Sequence, residues 1–340
     1  MTSPVKYTFV VPPERAGLEL DEFLCLMFPG VPKGALRNEV RSGRVLLDGA
    51  DVHPAQRLRD GDVVLCSFDE EDLPSAPNAP DVTLPVLYED AAVLVVDKPA
   101  KLAVESERWA PDLPTVAGGL LALAEARGVD WRPRLVHRLD KDTTGAIAAA
   151  KTLEAERVLR GAFEEGLVQK RYLALVEGEH PLGPDEAEVI DQPIAPDERK
   201  SGRMMVHPSG KPSRTRISVV ERFAGFTLMA AEPLTGRTHQ IRVHLADAGF
   251  PLVIDHVYGR RNELKLSELK AGYRGKRGVV ERPLMDRLTL HAAVLTLPPV
   301  PDFDGVPGSP GARVESPLPA DLGRVLKQLR KVRPFRERRR

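Results

Sequence analysis

The stretch DEEDLPSAPNAPDV, residues 69–82, carries five acidic residues, three prolines and no cation. Proline removes a backbone donor and fixes φ, and like charges hold a chain extended, so this composition makes a linker rather than a packed element. A linker so placed in 340 residues divides the chain into two bodies. The division predicts a small module over residues 1–68, the acidic linker over 69–83, a larger domain over 84–318 and a basic helix and tail over 319–340.

Hydrophobic residues make up 42% of the chain and charged residues 29%, enough apolar matter to bury a core and enough charge to keep the surface wet. The apolar runs are too short to span a membrane, and the N-terminus, MTSPVKYTFVV, lacks the basic and long apolar regions of a signal peptide. Cys25 and Cys66 lie outside any CxxC or Cys/His spacing, which argues against a structural zinc. A cytoplasmic protein without a membrane partner is the expectation. The formal net charge is zero, yet residues 324–340 sum to +8 and residues 256–282 to +5. Charge segregated in this way suits a polyanionic partner, although a solvated surface has the same look.

In the small module Leu20, Phe23, Leu24 and Met27 recur at helical spacing. Lys33, Arg37 and Arg41 fall four residues apart, so a helix through them carries one basic stripe, with Gly43 placed to end it. RVLLDGADV reads as a strand, an Asp48-Gly49 turn and a second strand, and LRDGDVVLCSF as a further turn and strand. A basic helix beside a small sheet can lie along a phosphate backbone. Over residues 18–68, LELDEFL, the basic helix, GRVLLDG and LRDGDVV together resemble the alpha-L RNA-binding module first seen in a ribosomal small-subunit protein. That resemblance implies RNA contacts for Lys33, Arg37 and Arg41. Gly34-Ala35 departs from it, standing where the family usually carries Ser-Arg.

The larger domain opens with a buried strand around Val93–Val96 and a Lys98-Pro99 turn. AIAAAKT, VQKRYLALVEG, FTLMAAEP and LTLHAAVLTL read as further strands. Thr152 is placed to cap a helix through LEAERVLRGAFEEG, and THQIRVHLADAG runs into a helix that Gly249 ends. Strands and helices mix without regular βαβ alternation, so the predicted fold class is α+β, with a small N-terminal α/β module.

Two polar clusters carry the chemistry. LVHRLDKDTTG packs His137, Arg138, Asp140, Lys141 and Asp142 into eleven residues, and LTGRTHQIRVHL brings Arg237, His239, Arg242 and His244 together a hundred residues on. His239 and His244 are five apart, a poor spacing for shared metal ligation on one helix face, and no HExxH pattern surrounds them. A carboxylate that must stay ionised in a water-poor cleft needs a cation beside it, and an arginine serves without risk to its own proton. Arg242 is the candidate to hold Asp140; a salt bridge without chemistry is the competing reading.

Together the segments YEDAAVLVVDKPA, HRLDKDTTG, VQKRYLALVEG, SGKPSRT, LTGRTHQIRVHL, DHVYG and LTLHA resemble, in order, the pseudouridine synthases of the RluA type over residues 84–300. The resemblance implies a large mixed, mainly antiparallel sheet and an RNA isomerase that needs no cofactor and no metal, acting on a flipped-out uridine, with large-subunit ribosomal RNA the expected target and transfer RNA the alternative. Asp140 matches the catalytic aspartate, as nucleophile or as base for a ribose proton. Tyr172 matches the tyrosine that stacks on the base, Arg242 the arginine paired with the aspartate, and Arg138 the arginine that holds the flipped arrangement. His137, Lys170, Lys211, Arg237 and His239 are further candidates for contact with the RNA. Three positions depart from the pattern: Thr144 replaces the usual serine, AKLAVESE the usual glycine-rich continuation, and Val253-Ile254 the usual glycine before Asp255. Tyr273 among Lys270, Arg274, Lys276 and Arg277 makes residues 260–282 a candidate RNA-gripping insertion.

Two other function classes stand beside the isomerase. An RNA-binding ribosome-assembly factor with the same fold would not need Asp140, Tyr172 and Arg242 intact. A glycoside-type hydrolase would need two carboxylates flanking the bond, and no clear partner for Asp140 emerges. The expected partner is RNA and the expected state a monomer.

Overall fold

The computed structural model describes residues 5–28, 31–74, 82–105, 114–129, 133–183, 185–275, 278–303, 305 and 307–336. Part of the acidic linker (75–81), Lys276 and Arg277 of the basic insertion and the last four residues of the tail lie outside them. The chain forms two compact units, residues 1–83 with 105–130 and residues 84–104 with 131–340.

The first unit contains β1 (Tyr7–Val10), α1 (Leu20–Met27), α2 (Lys33–Arg41), β2 (Val45–Leu47), β3 (Ala50–Asp51) and β4 (Val63–Cys66), with the sheet in the order β1-β4-β2-β3. Leu20, Phe23 and Leu24 of α1 and Leu36 and Val40 of α2 share a core with Val45, Val64 and Cys66 of the sheet. The β2–β3 turn has positive φ at both Asp48 (51°) and Gly49 (80°), the primed turn that matches strand twist. Residues 105–130, which the sequence placed inside the larger domain, group with this unit and contain α3 (Val116–Ala126), capped by the Thr115 hydroxyl, which accepts the Gly118 N–H at 3.0 Å.

The basic stripe of α2 is partly spoken for. Asp21 of α1 is fully buried, and Lys33 Nζ lies 3.1 Å and Arg37 Nε 2.6 Å from its two carboxylate oxygens. Arg41, at the end of the same stripe, is exposed.

In the second unit the strands are β5 (Val86–Glu89), β6 (Val93–Lys98), β7 (Arg134–Leu135), β8 (Thr144–Ala150), β9 (Gln169–Glu177), β10 (Ala187–Asp191), β11 (Ile194–Pro196), β12 (Met204–Val206), β13 (Arg214–Phe223), β14 (Phe226–Pro233), β15 (Leu290–Leu297) and β16 (Ala312–Glu315). The helices are α4 (Leu153–Glu164), α5 (Gln240–Asp247), α6 (Leu266–Leu269) and α7 (Ala320–Val332). One large sheet runs β10-β13-β14-β9-β15-β8-β6-β5, with β7 added to β8 and β16 to β15, while β11 and β12 form a separate hairpin. Only the β8–β15 pairing is parallel among the described strands, so the fold is α+β with a mixed, mainly antiparallel sheet.

Two cores flank this sheet. Val93, Val95, Ala146, Ala148 and Ala150 pack with Ala155, Leu159 and Ala162 of α4. Leu175, Phe223, Phe226 and Leu228 pack with Leu322, Val325, Leu326 and Leu329 of α7, whose Arg324, Lys327 and Lys331 remain exposed. Register then sets the site: Gly145, Ala292, Tyr172 and Ala231 lie in one row across β8, β15, β9 and β14. The loop before Gly145 therefore emerges level with Tyr172.

The Asp21 pairing predicts that Arg37→Ala destabilises the first unit by about 1–2 kcal/mol, because a buried carboxylate loses a partner, while Arg41→Ala leaves stability unchanged. Urea unfolding of both variants, followed by a probe in the first unit, checks this; equal midpoints for the two would show that Asp21 does not depend on Arg37.

Candidate active site

Asp140 sits in a turn between β7 and β8 that is clamped from below. Lys98, at the end of β6, is fully buried, and its ammonium donates to three backbone carbonyls: Pro99 at 2.9 Å, Lys141 at 2.7 Å and Thr143 at 2.8 Å. Burial pushes its pKa down to about 7, with Asp142 and Asp140 pulling the other way. Three carbonyl acceptors use three N–H donors, which only the charged amine has, so the cage itself favours the ammonium. Past the turn, Gly145 has φ of 116°, and a Cβ there would lie 2.2 Å from the Ala292 carbonyl oxygen. Only glycine permits β8 to approach β15 so closely. Thr144 keeps the hydroxyl that serine would supply, in a 3.0 Å hydrogen bond with His291 Nδ1.

The second polar cluster meets Asp140 from α5. His239 and Arg242 are three residues apart at the start of the helix and share a face. Arg242 donates from one terminal nitrogen to Asp140 Oδ2 at 2.9 Å, and His239 Nε2 lies 4.0 Å from Asp140 Oδ1. The fork of Arg242 faces elsewhere: Nε and the other terminal nitrogen donate to the two oxygens of Asp255, each at 2.8 Å. Asp255 is buried and also accepts the backbone N–H groups of Val257 and Tyr258 at 2.9 and 3.1 Å. Burial alone would lower the pKa of Arg242; the Asp255 hydrogen bonds and the charge of Asp140 more than offset it, so the guanidinium is held firmly charged. Asp140 itself stays partly exposed.

Tyr172 completes the arrangement on β9, 9% exposed, with its phenol pKa pushed up by burial and by the charge of Asp140. A partly exposed carboxylate, a charged arginine behind it and a neutral aromatic ring alongside form a site that can receive a flat, uncharged ring and present an anion to it.

Asp140, Tyr172, His239 and Arg242 lie within a region that matches a known family. Residues 92–247 fit the family model described as RNA pseudouridylate synthase. The ribosomal large subunit pseudouridine synthase D of Xanthomonas campestris is 36% identical over 327 residues, covering 94% of this chain and 92% of its own. The ribosomal large subunit pseudouridine synthase C of Escherichia coli is 35% identical over 331 residues, covering 94% and 95%. The chain belongs to the RluA-type RNA pseudouridine synthases. Its fold agrees: the human RNA pseudouridylate synthase domain containing 4 aligns with a TM-score of 0.52 at 22% identity, covering 72% of this chain and 93% of that one. As a pseudouridine synthase the protein is an isomerase acting on RNA.

The remaining candidates of this pseudouridine synthase divide by environment. Arg138 is exposed beside Asp140, and Arg237 is exposed at the entry to α5, where its Nε donates to the Pro212 carbonyl at 3.2 Å. Lys211 is exposed, its backbone paired with Ile194 of the β11–β12 hairpin. His137, expected to border the RNA, is turned inward: its Nε2 accepts the Ala148 backbone N–H at 2.9 Å and its ring stacks on Phe163 at 4.5 Å between centroids. Lys170 packs over the same Phe163 ring at 5.7 Å, and burial pulls its pKa down. His244 is likewise engaged in the fold, between the Thr215 hydroxyl and the Gln192 carbonyl.

Three residues of the site were not assigned from the sequence: Lys98, Asp255 and Tyr258. DHVYG held the signal for two of them. The Tyr258 N–H closes a turn onto Asp255, and Gly259 is required there, since a Cβ would lie 2.8 Å from the Asp255 carbonyl oxygen.

The lysine cage predicts that Lys98→Met lowers turnover by roughly 10- to 100-fold with little change in KM for RNA, because the Asp140 turn loses its anchor while the RNA-facing surface is intact. Steady-state kinetics separate the two; a change confined to KM would count against the clamp. His137 predicts an acid-side effect. Burial, and to a smaller extent Lys170, lower its pKa to about 3, so from pH 6.5 downward the unfolded chain takes up a proton that the fold refuses. Stability therefore falls with falling pH through that window, by up to about 1.4 kcal/mol per unit for this one proton. His137→Gln keeps an acceptor for Ala148 and should remove this share of the slope in urea titrations at pH 7, 6 and 5; an unchanged slope would mean the imidazole is already charged in the fold.

Proposed function

We propose that this isomerase converts uridine to pseudouridine in large-subunit ribosomal RNA, with Asp140 as the reacting carboxylate. The observation that carries the assignment is the division of labour at Arg242. Its fork is locked on buried Asp255, and its remaining nitrogen orients a partly exposed Asp140 beside Tyr172.

The reaction breaks the N1–C1′ bond of the uridine, turns the base and joins C5 to C1′; C5 releases its hydrogen as a proton and the freed N1 takes up a proton from water, so product and substrate are isomers. A stacked uridine cannot be reached, so it is flipped into the pocket at a cost of a few kcal/mol. Tyr172 receives the face of the base, and Arg138, exposed next to Asp140, holds the displaced backbone. Asp140 then either adds to the base or takes a ribose proton; both need the carboxylate, which Arg242 orients through its 2.9 Å hydrogen bond. The relatives' printed names support the ribosomal target. The alpha-L-like first unit, through Arg41, and the exposed cations of α7 supply phosphate contacts, and the protein works as a cytoplasmic monomer.

Asp140→Asn keeps the shape of the side chain and removes its charge. The variant should fold, melt near the wild type and bind RNA, while tritium release from C5-labelled uridine in RNA drops to background. Asp142→Asn should lose far less. Appreciable release from pure Asp140→Asn protein would sink the mechanism, and equal losses from the two variants would reduce the motif to a structural turn. Mapping pseudouridines across total RNA with and without the protein tests the target.

A further inference from the structure

A phenol oxygen carries one proton and otherwise only lone pairs. At Tyr258 a lone pair accepts the Met204 backbone N–H at 2.8 Å, and the other hydrogen bond of the hydroxyl joins it to His239 Nδ1 at 2.9 Å. The Met204 amide takes one lone pair and leaves the phenol its proton and a second lone pair; His239 Nδ1 is the one acceptor that meets this proton among the described residues, so the proton is placed to point at His239. An imidazole that accepts at Nδ1 carries its N–H on Nε2 when neutral. That nitrogen faces the catalytic turn, 4.0 Å from Asp140 Oδ1.

From this geometry we infer that Tyr258 is a positioning residue, locking His239 as the Nε2–H tautomer so that Asp140 has a second donor beside Arg242. The inference rests on Asp140 being the reacting carboxylate. At 4.0 Å the pair is longer than a hydrogen bond, and it closes when substrate engages the carboxylate, as catalytic contacts commonly do. The two donors address different oxygens: Arg242 holds Oδ2 and His239 faces Oδ1.

Independent features fix the parts of this relay. His239 has φ of 56°, a left-handed conformation that a residue with a Cβ adopts only when its surroundings impose it, and it is held at the start of α5. Two guanidinium groups pack on the Tyr258 ring, Arg242 at 5.0 Å and Arg203 at 5.5 Å from its centroid, so the phenol has little freedom to swing away. Burial lowers the pKa of His239, Asp140 opposes this and Arg242 adds to it, with the net direction toward the neutral ring.

Tyr258→Phe keeps the ring against the two guanidiniums and removes only the hydroxyl. Turnover should fall roughly three- to tenfold with KM for RNA unchanged, as when a functional imidazole loses the partner that orients it. His239→Leu should fall at least as far, and the double variant no further than His239→Leu alone, since Tyr258 acts through His239. His239→Gln, with a carbonyl for Tyr258 and an amide N–H for Asp140, should regain much of the loss. Nitrogen-15 NMR of the imidazole reads the tautomer directly: Nε2–H in the wild type, and an admixture of Nδ1–H in Tyr258→Phe. An Nδ1–H ring in the wild type, full activity of Tyr258→Phe or additive losses in the double variant would overturn the inference. An active Asp140→Asn would instead overturn the assignment of the carboxylate, which the NMR result does not touch.

Discussion

A single guanidinium organises the catalytic unit. A buried arginine is costly unless its donors are met, and Arg242 meets them with two carboxylates of unequal standing. Asp255 is the deep one, fixed by two backbone N–H groups and by both prongs of the fork. Asp140 takes one terminal nitrogen and keeps the rest of its capacity open. Two acids against one base leave the group net negative, so the pairing orients the outer carboxylate without quenching it. An arginine paired with Asp140 alone would have gripped both oxygens and buried the charge the reaction uses.

The sheet fixes where this electrostatic group acts. Parallel pairing of β8 with β15 brings Gly145 against Ala292, and the next strand carries Tyr172 at the same level. Lys98 ties the turn before Gly145 to the end of β6 through the Lys141 and Thr143 carbonyls, just past Asp140. The carboxylate thus sits on a short turn anchored from within the core rather than on a loose loop, which is how a fold holds a reacting group to a fraction of an ångström.

Much of this was legible in order along the chain. Helices α1, α2, α4 and α5 announced themselves through apolar spacing, the Thr152 cap and terminal glycines, because these are local properties. Asp140, Arg242 and Tyr172 stood out as polar or aromatic residues in motifs that resemble a family. What escaped needed three dimensions. Lys98 looked like a turn residue after a strand, since nothing local says that its acceptors lie more than forty residues downstream. His137 looked solvent-facing within a polar run, yet its ring is consumed by an amide eleven residues on. The Arg242 fork seemed to belong to Asp140 because Asp255 is just another acid in the sequence. The α3 segment has small residues and a weak pattern, and β1 is only four residues long, so neither declared itself.

The Asp21 contact in the first unit bears on how a polyanion would be held. Association of cations with nucleic acid draws much of its free energy from small ions set free into solution. Lys33 and Arg37 already have a carboxylate as their counter-ion, one that belongs to the fold and cannot diffuse away. Their charge is largely balanced before any phosphate arrives, so the stripe contributes fewer effective charges than its three cations suggest. Arg330 of α7 is likewise held by Glu221, whereas Arg41, Arg324, Lys327 and Lys331 are exposed without such an ion pair among the described residues, and the ionic-strength dependence of binding should count them first.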